Sequence, residues 1–241
     1  MVADLRVLYR LAAVPIRGRT HAERLESFYA GQAADYDRFR ERLLHGRREL
    51  WESLPVSAGD VWCDLACGTG AAAEYLGTRL ADLQHLYLVD LSRSLLKVAR
   101  ERAAAHGWHN VSAIEADVTR FEPPRGPVDV VTCSYALTMT PDWYAVIDRA
   151  WGMLKPGGRI GIVDFYVSRK HPAEGCRRHG WWQRSFWPAW FASDNVFLSP
   201  DHLPYLQRRF AGELLCERTG RVPYLAGLRA PYYLFVGRKA G

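Results

Sequence analysis

The chain has 241 residues, of which 49% are hydrophobic and 24% charged, and it carries a net charge of +6. That is apolar material for one sizeable core, within the range of a single α/β domain. No apolar run reaches the roughly 18 residues needed to cross a bilayer and nothing repeats at a fixed period, which excludes a helical membrane span and a repeat array.

The opening stretch MVADLRVLYRLAAVPIRGR mixes Leu5, Val7, Leu8, Leu11 and Val14 with Arg6, Arg10, Arg17 and Arg19. A signal peptide keeps its charge ahead of an uninterrupted apolar block, so this is not one. Residues 1–25 read as an amphipathic arm, helical to about Pro15. It either packs on its own domain or rests on a membrane surface.

Arginine far outnumbers lysine, and its planar fork suits carboxylates and phosphates. No RRM or zinc-knuckle signature accompanies the charge, so nucleic acid is not an expected partner. The five cysteines, Cys63, Cys67, Cys133, Cys176 and Cys216, are odd in number and scattered, as reduced thiols of a cytoplasmic protein are. His171, Cys176 and His179 lack an evident fourth ligand, so no metal is expected.

From residue 60 the chain alternates. DVWCDLA (60–66) is a buried strand running into a glycine turn, and AAAEYLGTRL after it has helical composition. HLYLVDLS (85–92) is a second strand, LSRSLLKVARERAAAHG a second helix, VSAIEADV (111–118) a third strand and VDVVTCSYAL (128–137) a fourth. The helix YAVIDRAWGML, the turn KPGG and the strand RIGIVDFYV follow. Strand–helix alternation at this rhythm implies right-handed crossovers and a parallel sheet covered on both faces. Ligands of such sheets lie beyond the carboxyl ends of the strands.

A Walker loop needs lysine and a hydroxyl after its last glycine, whereas Gly70 is followed by three alanines. A dinucleotide loop wants a third glycine, and only Gly68 and Gly70 stand in that frame. Asp64 precedes them. Asp90 closes the next strand where an acid would take ribose hydroxyls, and Asp117 closes the third, able to accept from an adenine amino group. Three acids at successive strand ends describe a non-phosphorylated adenosine with an amino-acid tail.

DLACGTG, LVDLS, EADV and LKPGG together resemble the motifs of the class I S-adenosylmethionine-dependent methyltransferases, over roughly residues 25 to 165. The resemblance implies a Rossmann-like fold, with a mostly parallel seven-stranded sheet and helices on both faces. It implies S-adenosyl-L-methionine as cofactor, S-adenosyl-L-homocysteine as product and no metal. Carried onto this chain, Asp64, Ala66, Gly68 and Gly70 lie near the methionine moiety. Asp90 and Leu91 lie on the ribose, Asp117 and Val118 beside adenine, and Ser134 towards the sulfonium. One departure stands out: the family's usual motif has a glycine where this chain has Ala66 or Cys67.

The acceptor is read from the flanks. RxxLLHGRR, SYALTM, DFYVS, RSFWPAWFASDNV and LRAPYYLFVGRK are similar to the methyltransferase domain of betaine-lipid synthesis, which trimethylates the amino group of diacylglyceryl homoserine. The implied layout is 26–55 lid helices, 56–165 cofactor core, 166–215 an acceptor-facing or membrane-facing insertion and 216–241 closing strands. Tyr29, Tyr36, Tyr135 and Asp164 are the candidates to take the amine proton, Tyr29 and Tyr36 being equally open to plain packing. Arg47, Tyr166, Arg229 and Tyr232 are the candidates to hold the acceptor, an arginine fork suiting its carboxylate. The expected partners are a lipid or small amine substrate, a membrane surface, and an aminocarboxypropyl transferase acting upstream. The rivals are a phosphatidylethanolamine methyltransferase, a small-molecule methyltransferase of specialised metabolism and a non-catalytic cofactor-binding protein.

Overall fold

A computed structural model of the chain describes residue 23 and residues 42–241 other than 194, 224 and 226. Tyr29, Tyr36, the rest of the arm and the first part of the 26–55 segment lie outside the described residues.

The elements in chain order are α1 (Arg47–Ser53), β1 (Val61–Leu65), a 3-10 segment (Ala71–Asp82), β2 (His85–Asp90), α2 (Arg93–Ala105), β3 (Val111–Glu115) and β4 (Val128–Ser134). A short 3-10 turn (Leu137–Met139), α3 (Trp143–Met153), β5 (Leu154–Phe165), α4 (Trp181–Ala192), α5 (His202–Arg209), β6 (Ala211–Arg221) and β7 (Arg229–Arg238) complete it. The seven strands lie in the order β3-β2-β1-β4-β5-β7-β6. Only β7 runs against its neighbours, so the strand ends of β1, β2, β4 and β5 share one edge with the start of β7.

Apart from a register shift between Val128 and Val130, side chains alternate between two cores, as a sheet covered on both faces requires. Trp62, Leu86, Leu88, Val130, Val163 and Phe165 join the core under α1, the 3-10 segment, α2 and α4. Cys63, Leu65, Tyr87, Val89, Val131, Cys133, Ile160 and Ile162 join the core under α3 and α5. Helix α1 has seven residues, too few to persist alone. Burial of Leu50 and Trp51 holds it, Trp51 stacking on Trp62 at 5.0 Å. Among the described residues, no helix is long and apolar enough to cross a membrane.

Four sequence expectations shift. The helix expected over 71–80 is a 3-10 segment broken at Gly77, whose φ is 56°. The third strand stops at Glu115, leaving Asp117 in a turn. The fourth stops at Ser134, because Tyr135 takes a φ of 55° that no strand accommodates. The closing strands begin at Ala211 rather than 216, so α4 and α5 fill the insertion between β5 and β6.

Candidate active site

The strand-end crevice is built around the loop that leaves β1. Ala66 has φ 54°, Gly68 60° and Gly70 68°. The first is a left-handed conformation that costs a side-chain-bearing residue of order 1 kcal/mol or more. The position the sequence marked as departing from glycine is therefore a glycine-like position occupied by alanine. A Cβ on Gly70 would stand 2.9 Å from Leu88 Cδ1 and 3.3 Å from Ala99 Cβ, so this glycine lets the loop close on β2 and α2. On Gly68 a Cβ would meet nothing within 4 Å among the described residues. Asp90 fixes the loop: its Oδ2 accepts from Gly68 N–H at 2.8 Å and its Oδ1 from Ser92 N–H at 2.9 Å. The Arg102 guanidinium reaches the Thr69 carbonyl and pairs with Glu74 at 2.7 Å, tying the loop to α2.

Asp64 lies on the same face as Trp62 and is 2% exposed. Trp62 Nε1–H donates to Thr132 Oγ1 at 3.0 Å, and the Thr132 hydroxyl donates to Asp64 Oδ1 at 2.7 Å. Burial pushes the Asp64 carboxyl up to about 7; the Thr132 hydrogen bond and the Arg47 charge oppose this, and the Asp90 charge reinforces it. Arg47 opens α1 half-buried, and its Nε is buried with no hydrogen-bond partner among the described residues. A buried carboxyl within reach of an arginine charge and a second carboxylate has the chemistry to meet a ligand that carries both ammonium and carboxylate.

Further along the edge, Asp117 is exposed, and its Oδ1 accepts from Thr119 N–H at 2.9 Å and from Thr119 Oγ1 at 2.7 Å. Val118, next to it, is buried. Leu91 is half-buried after Asp90. Ser134 Oγ, at the end of β4, is buried with no partner among the described residues.

The acceptor and proton-transfer candidates separate. Tyr135 donates its hydroxyl hydrogen to the His45 carbonyl at 2.6 Å, and burial, with Asp164 adding, pushes its phenol up. It is an aromatic wall bound to the loop before α1. Asp164 is a correction to the expected catalytic set. Alternation turns it to the far face, between Ile162 and Tyr166, where its Oδ1 accepts from Thr138 Oγ1 at 2.7 Å and Phe165 N–H at 2.8 Å. Thr138 N–H donates to its Oδ2 at 3.2 Å. The carboxyl is fully buried and burial raises it to about 7. Its task is to hold the turn after β4.

Tyr166 likewise faces away. Its hydroxyl donates to Glu217 Oε1 at 2.6 Å, and burial first, then that bond, push the phenol up. Arg229 is exposed, its guanidinium bonded to Thr219 Oγ1 at 3.2 Å and the Thr219 carbonyl at 2.9 Å across the end of the β6–β7 pair. Tyr232 does reach the edge, stacked on His45 at 6.0 Å.

The aromatic-rich stretch RSFWPAWFASDNV stands out in the sequence, but not how it joins these pieces. Tyr135 packs on Phe165 at 4.6 Å, Phe165 on Phe191 at 4.6 Å and Phe191 on Trp187 at 5.7 Å. Trp187 meets Phe186 at 5.0 Å, and Phe186 stacks on Trp182 at 4.8 Å. A continuous aromatic seam thus runs from the end of β4 to the surface. The usable signal was the spacing of Trp182, Phe186, Trp187 and Phe191 on one helix.

Residues 63–158 match a family model described as a methyltransferase domain. The match spans the glycine loop, Asp64, Asp90, Asp117, Ser134 and Tyr135. The phosphoethanolamine N-methyltransferase 2 of Haemonchus contortus, solved with S-adenosyl-L-methionine, is similar with a TM-score of 0.67 at 15% identity, over 94% of this chain and 61% of that one. NodS, an N-methyltransferase of Bradyrhizobium japonicum solved with S-adenosyl-L-homocysteine, has a TM-score of 0.58 at 15% identity over 99% of both chains. These likenesses establish a Rossmann-like methyltransferase fold. The demethylmenaquinone methyltransferase of Lactococcus lactis is 25% identical over 151 residues, 61% of this chain and 60% of that protein. The chain spans about three fifths of the length of the curated relatives it matches.

Proposed function

We propose that this protein is an S-adenosylmethionine-dependent N-methyltransferase that trimethylates the amine of an amphiphile, diacylglyceryl homoserine. The methyltransferase domain and fold support the reaction class. The observation that carries the acceptor class is the aromatic seam from Tyr135 to Trp182. An amine that ends as a quaternary ammonium is attracted to aromatic faces, and a lipid carrying it needs an apolar way in from the surface.

The crevice residues fit the cofactor. Asp64 and Arg47 suit the ammonium and carboxylate of an amino-acid tail, Asp90 suits ribose hydroxyls and Asp117 an adenine amino group. When bound, the cofactor supplies an electrophilic methyl on a sulfonium. The residues of this chain orient it and exclude water, which is most of what a neutral amine nucleophile requires. Ser134, whose hydroxyl at the end of β4 has no partner among the described residues, would orient the reacting groups. Each of the first two methyl transfers releases a proton. Among the described residues Tyr135 and Asp164 are engaged elsewhere, so the proton leaves with solvent or through Tyr29 or Tyr36. The aminocarboxypropyl group of the acceptor would be supplied by a transferase acting upstream.

A second reading is methylation of demethylmenaquinone, favoured by the relative from Lactococcus lactis being named a demethylmenaquinone methyltransferase. The test incubates the purified protein with methyl-labelled donor and, separately, diacylglyceryl homoserine, phosphatidylethanolamine, demethylmenaquinol and a total amine extract, read by mass spectrometry. Stepwise gain of three methyl groups on the homoserine lipid is the expected result. Label on the quinol alone, or only on a soluble product, overturns the acceptor assignment.

A further inference from the structure

We infer that the N-terminal end of α4 and the basic loop before it dock this protein on an anionic bilayer. Trp181 is 74% exposed and Trp182 58% exposed. Large indoles left in water at one place mark an interaction surface. Trp182 is also braced: it stacks on Phe186 with an interplanar angle of 15°, and Phe186 meets the buried Trp187. Little ordering remains to be done on docking.

The charge around them selects the partner. The stretch RKHPAEGCRRHGWWQR (169–184) carries Arg169, Lys170, Arg177, Arg178 and Arg184 against the single acid Glu174. Arg169 is ion-paired with Asp201; Arg177 gives its backbone N–H to Glu217 Oε2 and its guanidinium to the Glu217 main-chain carbonyl; Lys170 and Arg178 are exposed and make no ion pair among the described residues. Tryptophans beside free cations fit the headgroup layer of a negatively charged membrane. There the indole sits at the apolar boundary, and each Lys or Arg strengthens binding about fivefold. The same face is the surface end of the seam that begins at Tyr135, so docking there presents bilayer lipid to the crevice.

This inference deepens the proposed function and rests on it for the use of the docked state, but its test needs neither methyl donor nor acceptor. The purified full chain is sedimented with vesicles of phosphatidylcholine alone or mixed with phosphatidylglycerol, at low and physiological salt. Binding to the anionic vesicles, weakened by salt and by omitting phosphatidylglycerol, is expected. Trp181→Ser with Trp182→Ser should lower it about tenfold, and Arg178→Ala with Lys170→Ala about fivefold per cation. All four positions are exposed, and circular dichroism checks that the variants fold. Wild-type protein that stays in the supernatant overturns the inference. So does a tryptophan double variant that binds like wild type, which would move the contact elsewhere on the chain, residues 1–41 included. Loss of a dimer in the double variant with no vesicle binding by wild type would give the face to a second copy.

Discussion

Tyr135 and His45 are joined across 90 positions of sequence by one hydrogen bond, the phenol donating to the backbone carbonyl at 2.6 Å. It ties the end of β4 to the loop that launches α1 and therefore Arg47. In this geometry the phenol is a brace rather than a base.

Tyr135→Phe keeps the ring contact with Phe165 and removes the bond. Losing one such bond costs about 1 kcal/mol, more when a buried carbonyl is left unsatisfied. The expected result is a small fall in urea stability and a weaker affinity for S-adenosylhomocysteine, with the pH profile of kcat unchanged. A kcat reduced a hundredfold with normal cofactor affinity would instead make the phenol the proton acceptor.

Asp64 sets a pH dependence. Its carboxyl stands at about 7 in the folded chain against 3.8 for the free group. A raised acid stabilises the fold fully below its unfolded value, and that contribution is lost as pH rises from about 4 through 7. Asp164 is raised to about 7 as well and adds to the same slope. Ligand binding runs the other way, because an ammonium favours ionised Asp64. Calorimetry with S-adenosylhomocysteine should show affinity rising up to about tenfold between pH 6 and 8. Asp64→Asn should bind weakly and flatten the rise; a wild type that is already flat would remove Asp64 from the ammonium.

The glycine loop offers two substitutions of opposite sign. Ala66→Gly relieves a left-handed alanine, and thermal melts should show a gain of up to about 1 kcal/mol. Gly70→Ala combines φ 68° with a Cβ 2.9 Å from Leu88 Cδ1, and about 2 kcal/mol should be lost through strain and overpacking.

Much of this site was legible because its determinants are local. Asp90 closes a strand and Gly68 and Gly70 follow one, so their places at the edge came from strand ends alone. Asp164 also closes a strand, yet it faces away. An acid at a strand end looks the same in sequence whichever face it takes, and only the parity set by Val163 and Phe165 decides. The end of β4 was hidden for a different reason. Tyr135 is held in its left-handed conformation by partners at His45 and Phe165, which the chain brings together only on folding. The helix over 71–80 failed because Gly77 breaks it, a choice that composition does not reveal.

The last prediction separates two arginines that the sequence offers for one acceptor carboxylate, Arg47 being the readier of the two to be read as a plain surface charge. Arg229 spends its guanidinium on Thr219 at an exposed hairpin end, so Arg229→Ala should leave both cofactor affinity and acceptor KM within about twofold, as exposed polar contacts do. Arg47 is different: its charge lowers the titration of both Asp64 and Tyr135, and its buried Nε has no partner among the described residues. Its charge reaches Asp64, and under the proposed function it takes the carboxylate of the same amino-acid tail. Arg47→Gln should weaken S-adenosylhomocysteine about tenfold or more, the scale of a charge-assisted bond, and push the Asp64 carboxyl further up. Normal cofactor affinity with a raised acceptor KM would instead assign Arg47 to the acceptor's carboxylate.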